Sequence, residues 1–78
     1  MRVLAFGIAK DIFGSAEVEI ESSEVKSIDQ LKLFLEEKYS RLRQLGSYMI
    51  ALNNEYASGS ETIKGGDEIA IIPPVSGG

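Results

Sequence analysis

Residues 67–74 combine an acidic start, an apolar run and two prolines, in the order Asp67-Glu68-Ile69-Ala70-Ile71-Ile72-Pro73-Pro74. A short apolar run between turn signals is typical of a buried strand. Proline has no N–H to donate to a neighbouring strand, so we expect the strand to end at Ile72. We therefore expect a domain over residues 1–72 and an extended tail over residues 73–78.

The tail reads Pro73-Pro74-Val75-Ser76-Gly77-Gly78. Two prolines favour a stiff, extended backbone, and the final glycines add no side chains. Six extended residues span about 20 Å at roughly 3.3 Å each. The tail can therefore carry the carboxylate of Gly78 into a deep pocket of another protein. The alternative, a frayed glycine-rich end, fits the two prolines less well.

The composition of the 78 residues excludes several classes of function. With no cysteine and no histidine, the chain offers no disulfide, no thiolate metal site and no Ser-His or Cys-His pair. We expect no metal site and no cofactor bound by the chain itself. The net charge of −4 argues against a nucleic-acid partner, which needs a basic face, and fits a partner whose docking site is basic.

Targeting signals are also missing from the sequence. It contains no signal-peptide pattern and no apolar run near the roughly 20 residues that span a bilayer. We therefore expect a cytoplasmic protein with no membrane partner.

The periodicity predicts two strands, one main helix and then two or three further strands. We place strands at residues 1–8, 16–21, 48–52, 55–57 and 68–72, the helix at residues 28–39, a bend at residues 9–14 and a single-turn connection at residues 40–46. Ser27 and Gln30 match a capping box, and Asn53-Asn54 suggests a tight turn. A lone helix between hairpins packs on one face of a mixed sheet. This layout predicts an α+β fold of the β-grasp (ubiquitin-like) type with four to five strands, the last beside the first.

Apolar side chains point to both faces of the first and last strands. One set comprises Val3, Ala5, Ile69 and Ile71, and the other comprises Leu4, Phe6, Ile8, Ala70 and Ile72. One helix covers one face only, so whichever set faces the helix, the other set is uncovered. A contiguous uncovered apolar patch marks a partner site. The alternative is that residues 40–46 wrap over this patch.

Three stretches resemble the family of molybdopterin synthase small subunits, within the MoaD/ThiS superfamily. They are the tail at residues 73–78, the start Val3-Leu4-Ala5-Phe6-Gly7 with Lys10-Asp11, and Gly66-Asp67-Glu68-Ile69-Ala70. The tail is the most specific of the three. The family usually has arginine where Lys10 stands and often phenylalanine near Ile71 and Ile72, and both differences keep charge or bulk.

The resemblance implies a sulfur carrier that is not an enzyme on its own. In such proteins an adenylyltransferase similar to ubiquitin-activating enzymes uses ATP and Mg to convert the terminal carboxylate, here that of Gly78, to an acyl-adenylate. A sulfur donor then displaces AMP and leaves a thiocarboxylate. The tail enters the large synthase subunit, and sulfur passes to cyclic pyranopterin monophosphate to form molybdopterin. Two small and two large subunits form the complex.

The same resemblance assigns roles to individual residues. It implies that Gly78 is the covalent carrier and that Gly77 is a spacer without a Cβ. The inserted arm would be Pro73, Pro74, Val75 and Ser76. The interface with the large subunit would include Leu4, Phe6, Lys10 and Ile72.

Two other functions stay open at this point. Carriers for thiamine thiazole synthesis share the terminal Gly-Gly, although they usually lack the Pro-Pro-Val-Ser that precedes it here. A ubiquitin-like protein modifier, or a plain interaction module, belongs to a different class. A modifier would form isopeptide-linked conjugates, whereas a plain module would keep its function after loss of the tail.

Overall fold

The computed structural model describes residues 1–21, 25–45 and 47–74. Its strands are β1 (Arg2–Ala5), β2 (Glu17–Glu19), β3 (Met49–Leu52), β4 (Glu55–Tyr56) and β5 (Glu68–Ile72), and its helices are α1 (Ile8–Phe13), α2 (Ile28–Lys38) and α3 (Ser40–Arg43). The strands form one sheet in the order β2-β1-β5-β3-β4. The central pair, β1 and β5, is parallel, and the other pairs are antiparallel. This mixed five-stranded sheet with helices is the predicted α+β arrangement of a β-grasp fold.

The core lies between the sheet and the helices. Of the two sets of side chains on the central strands, the one buried in the core with residues of α2 and α3 comprises Val3, Ala5, Ile69 and Ile71. Leu31 and Leu35 of α2 and Leu42 of α3 have no exposed surface. Burying one such side chain stabilises the fold by about 1.5–3 kcal/mol relative to leaving it in water. The helices therefore all lie on one side of the sheet.

Helix α2 begins at the predicted cap. The Ser27 hydroxyl oxygen accepts a hydrogen bond of 3.2 Å from the backbone N–H of Gln30. The Gln30 side chain reaches back to the N–H of Lys26, at 2.7 Å, one residue before the position that a capping box uses. Leu33 is 64% exposed and lies away from the buried residues of α2, which are Ile28, Leu31 and Leu35.

Helix α1 was not predicted. The strand expected over residues 1–8 ends at Ala5, and the expected bend at residues 9–14 is mostly helical. Ile8 is therefore the first residue of α1, not part of a strand. Gly7 has φ of +57°, which breaks the extended backbone, and Ala9 and Phe13 then lie four residues apart on one buried helix face. Six residues are too few for that spacing to stand out in the sequence.

The remaining connections follow the sequence closely. Asn53 and Asn54 both have positive φ, 51° and 72°, as a tight hairpin turn requires. The predicted single turn at residues 40–46 contains α3. Strand β5 has the predicted limits, whereas β2, β3 and β4 are each shorter than predicted by one to three residues. Ala16, Ile20 and Ala57, just beyond the ends of β2 and β4, still form backbone hydrogen bonds with Ala5, Met1 and Ile50.

Candidate functional site

The sheet face opposite the helices is apolar, and the described residues leave it open to solvent. We call it the open face; its apolar residues are Leu4, Phe6, Met49, Ala51, Tyr56, Ala70 and Ile72. Phe6, Met49 and Tyr56 are 50%, 51% and 66% exposed. Helix α3 packs against α1 and α2, so residues 40–45 lie on the other side of the sheet. The predicted uncovered patch is confirmed, with Ile8 removed from it.

A groove crosses the open face because small side chains lie between large ones. Leu4 is opposite Ala70, Ala70 is opposite Ala51, and Ala51 is opposite Tyr56. The two alanines form the floor, and Leu4 and Tyr56 form walls, of a groove of about 320 Å³ that Phe6 and Ile72 also line. Such a groove accepts an apolar side chain of a partner protein.

Lys10 lies beside this groove. A second depression of about 400 Å³ is lined by Lys10 and Glu17 together with Leu4 and Phe6, which also line the groove. The structure therefore places the four residues of the predicted interface, Leu4, Phe6, Lys10 and Ile72, in one continuous region. Their role in binding a partner stays a prediction.

Charged side chains border the open face on β1, β2 and β5. The Arg2 guanidinium forms an ion pair with Glu68 on β5 and a second one, at 3.8 Å, with Glu17 on β2. Its hydrogen bond to Glu68 is the largest cause that raises the pKa of Arg2, and the neighbouring carboxylates add to it. Because these groups are largely exposed, the ion pairs contribute little to stability. A charged border around an apolar centre is the usual anatomy of a protein interface.

The tail begins at the edge of the open face. Strands β1 and β5 are parallel, and Ala5 lies opposite Ile71, so both strands end at the same edge of the sheet. Pro73 follows Ile72 there and lies against Gly7, where an added Cβ would be 3.1 Å from Cγ of Pro73. The sequence reasoning did not identify Gly7 in this role. The available signal was a glycine near the end of the apolar run at residues 1–8, in the strand predicted to lie beside the last one.

Most of the predicted tail lies outside the described residues. Pro73 and Pro74 are described, whereas Val75, Ser76, Gly77 and Gly78 are not. The roles predicted for all six residues therefore stay predictions.

Two carboxyl groups with lowered pKa values, those of Glu61 and Asp67, lie in loops between the strands. The backbone N–H groups of Ser58 and Gly59 donate to Glu61 and lower its pKa to about 2. The backbone N–H of Lys64 and the amide of Asn53 lower the pKa of Asp67. Each shift follows from hydrogen bonds that close a turn, which is a structural role.

The described part of the chain shows neither a metal cluster nor a membrane span. Over residues 1–21, 25–45 and 47–74, no group of three or more carboxylates could hold a metal ion. Over the same ranges, no helix is long and apolar enough to cross a bilayer.

Known proteins are similar to this chain over its whole length. The profile of the ThiS family matches residues 3–78. This chain belongs to the ThiS family. It is 35% identical over 83 residues to the molybdopterin synthase sulfur carrier subunit of Arabidopsis thaliana, in an alignment that covers 100% of this chain and 82% of that protein. The resemblance found in the sequence is thus confirmed.

Solved structures of similar proteins share the fold. A chain from the complex of subunits 1 and 2 of the molybdopterin-converting factor of Helicobacter pylori is 31% identical, with a TM-score of 0.70, and the match covers 99% of this chain and 96% of that one. The small archaeal modifier protein 1 of Methanosarcina acetivorans is 27% identical, with a TM-score of 0.79 and coverage of 99% and 94%. The ThiS family chain described here therefore has relatives named for sulfur carriage and for protein modification.

Proposed function

We propose that this chain is the sulfur carrier subunit of a molybdopterin synthase and that it holds sulfur as a thiocarboxylate on Gly78. One observation carries the proposal: the open face extends to the point at which Pro73 leaves the sheet. A partner that binds Leu4, Phe6 and Ile72 is therefore next to the origin of the tail. The name of the Arabidopsis thaliana relative agrees with this function.

The partner in this proposal is the large subunit of the synthase. The Helicobacter pylori chain that is 31% identical comes from a complex of two such subunits, which supports the same partner here. We propose that the apolar centre of the open face packs on the large subunit and that Lys10 pairs with one of its carboxylates. The assembly would contain two small and two large subunits.

The chemistry at Gly78 requires activation because a carboxylate is a poor electrophile. In the first step, a carboxylate oxygen attacks the α-phosphorus of ATP, and Mg-bound pyrophosphate leaves. In the second step, a hydrosulfide ion attacks the acyl carbon, the bond to AMP breaks so that AMP leaves, and the sulfur loses its proton. The resulting thiocarboxylate gives its sulfur to cyclic pyranopterin monophosphate in the large subunit. ATP and Mg are held by the activating adenylyltransferase, and a sulfurtransferase supplies the sulfur.

In these steps the chain contributes a narrow C-terminal tail that extends into the partner, and the partner proteins contribute the acid–base groups. With no histidine or cysteine, it lacks the residues that most often transfer protons or form thioesters. We propose that Pro73, Pro74, Val75 and Ser76 form an inserted arm. Gly77 and Gly78 then pass through a channel too narrow for a Cβ. In this role the chain donates sulfur and does not catalyse its transfer. We propose that it does so in the cytoplasm, together with the other subunits.

Intact-mass spectrometry tests the proposal. The protein is incubated with the activating enzyme, ATP, Mg and a sulfur source. We expect a mass gain equal to the exchange of one oxygen for sulfur, and loss of the gain on deletion of Gly78. Addition of the large subunit and cyclic pyranopterin monophosphate should then yield molybdopterin. A chain that gains sulfur but yields no molybdopterin with any large subunit would belong to another sulfur pathway, such as thiamine thiazole synthesis.

A second candidate function is protein modification. The likeness to the Methanosarcina acetivorans modifier protein favours it. In this function, a lysine amine would attack the same acyl-adenylate and accept the acyl group as AMP leaves. Isopeptide-linked conjugates of tagged chain in lysate, absent for the chain without Gly78, would support this function. Both functions begin with adenylation of Gly78. They differ in the final acceptor, which is cyclic pyranopterin monophosphate for sulfur and a lysine amine for the acyl group.

A further inference from the structure

We propose that the contact between Gly7 and Pro73 sets the direction in which the tail leaves the sheet, which makes Gly7 a positioning residue for sulfur transfer. This inference rests on the proposed function, because it concerns delivery of the C-terminus to a partner. It assigns a role to a residue that lies outside the tail and bears no side chain.

The parallel central strands bring Gly7 and Pro73 together. Ala5 lies opposite Ile71 in the register of β1 and β5. Two residues further along each strand, the chain reaches Gly7 on one side and Pro73 on the other. An ideal Cβ on Gly7 would lie 3.1 Å from Cγ of Pro73, closer than ordinary van der Waals contact. The proline ring therefore rests on bare glycine backbone.

Helix α1 fixes the position of Gly7 from the other side. The carbonyl oxygen of Gly7 accepts a hydrogen bond of 3.1 Å from the N–H of Lys10, and that of Phe6 accepts one of 3.1 Å from Ala9. These bonds form the first turn of α1. The backbone of Gly7 also has φ of +57° and ψ of −132°, a conformation that side chains disfavour. Gly7 is thus a rigid support and not a flexible hinge.

Pro73 determines the direction of the residues that follow it. Its ring holds φ near −65°, and Pro74 extends the stiff backbone. If the six residues of the inserted arm are extended when they enter the partner, they span about 20 Å, and a rotation of about 10° at Pro73 then displaces the tip by roughly 3.5 Å. Misplacement of a reacting group by about 1 Å can already reduce a rate by around 100-fold. A side chain at position 7 would therefore affect transfer through the direction of the arm.

Gly14 provides a control at the other end of α1. It also has positive φ, +82°, but no described atom lies within 4 Å of an added Cβ. Its backbone is left-handed helical, with ψ of 4°, whereas ψ of −132° at Gly7 is a conformation that glycine dominates, so Gly7→Ala is the more strained variant. Thermal melts measure how much each variant is destabilised, and the Pro73→Ala background separates this strain at Gly7 from the push on Pro73.

The measurement is the single-turnover rate of sulfur transfer from the purified thiocarboxylated chain, saturated with large subunit, to cyclic pyranopterin monophosphate. We expect Gly7→Ala to reduce this rate by roughly 10- to 100-fold and Gly14→Ala to leave it at the wild-type value. Pro73→Ala removes the ring atom in contact, so Gly7→Ala should have a clearly smaller effect in that background. Equal rates for the two glycine variants, or an equal effect of Gly7→Ala in both backgrounds, would overturn the inference.

A second measurement tests the contact between Gly7 and Pro73 even if the Gly7→Ala variant does not fold. In the wild-type protein, nuclear Overhauser effects between the Gly7 α protons and the Pro73 ring protons should be strong; their absence would overturn the contact itself. A wild-type chain that accepts no sulfur refutes the proposed function. A wild-type chain that transfers sulfur while Gly7→Ala matches Gly14→Ala refutes only the positioning role.

Discussion

The side chain of Asn53 joins the turn after β3 to the start of β5. Its amide donates a hydrogen bond of 3.0 Å to Oδ1 of Asp67, and its oxygen accepts one of 3.0 Å from the N–H of Glu68. The backbone N–H of Asn53 also donates to the carbonyl of Glu68, at 2.8 Å. These three hydrogen bonds hold the turn after β3 and the start of β5 in register.

Asn53→Gly should lower the free energy of unfolding by about 1 kcal/mol. It removes two side-chain hydrogen bonds, each with a net worth of about 0.5–1.5 kcal/mol, and gains back part of this by relieving the positive φ. Asn54 also has positive φ and forms no side-chain hydrogen bond within the described residues. Asn54→Gly should therefore be neutral or slightly stabilising. Urea unfolding measures both variants, and equal effects would contradict this account of the turn.

Phe6→Asp should weaken binding to the large subunit by roughly 30-fold or more, since central apolar residues of an interface often contribute about 2 kcal/mol or more. Leu33→Asp is the control, because Leu33 is also largely exposed, 64% against 50% for Phe6, but lies on α2, on the opposite side of the sheet. Calorimetric titration of each variant with the large subunit gives the affinities. Similar affinities for the two variants would show that the open face is not the interface.

Acid should remove the stabilising effect of Glu61. Its pKa falls from an ordinary value of 4.5 to about 2 in the folded chain, so the unfolded chain takes up the proton first as the pH falls. The stabilisation is complete above about pH 4.5 and is lost between about pH 4.5 and 2. The stability difference between wild type and Glu61→Gln should shrink across that window. Urea unfolding from pH 7 to pH 2 checks this, and a difference that stays constant would refute it.

Deletion of Gly78 should abolish sulfur loading and change stability by no more than about 0.5 kcal/mol, as for surface changes in general. Ile71→Ala provides the contrast. Ile71 is fully buried on β5, so its truncation should cost about 2–5 kcal/mol. Thermal melts combined with intact mass separate the two effects. A large loss of stability on deletion of Gly78 would mean that the end of the tail is part of the folded core.

Much of the fold could be predicted because two periodicities are strong in this sequence. Alternation in β5 separated Ile71 from Ile72 and predicted that one of them is core and the other lies on an uncovered face; the structure shows that Ile71 is the core residue. The spacing of Leu31 and Leu35, with Ser27 as cap, identified α2. These signals come from residues that repeat a simple pattern over several positions.

The missed parts depend on geometry that no local pattern encodes. Helix α1 is only six residues long, and its start depends on the backbone of Gly7. The approach of Pro73 to Gly7 depends on the register of two strands more than sixty residues apart. The chemistry of Gly78 depends on enzymes outside this chain, so neither the sheet nor the core could reveal it.

The parallel pairing of β1 and β5 also governs when the protein can fold during its synthesis. The first strand made must wait for nearly the whole chain before its central neighbour exists. Parallel pairing across such a distance is slow to form. A chain that ends before β5 leaves Val3 and Ala5 of β1 without their partners Ile69 and Ile71, so we expect proteases that cleave unfolded chains to remove it. Folding is therefore coupled to synthesis of the last strand, and only a chain that continues past this strand to Gly78 can also be loaded.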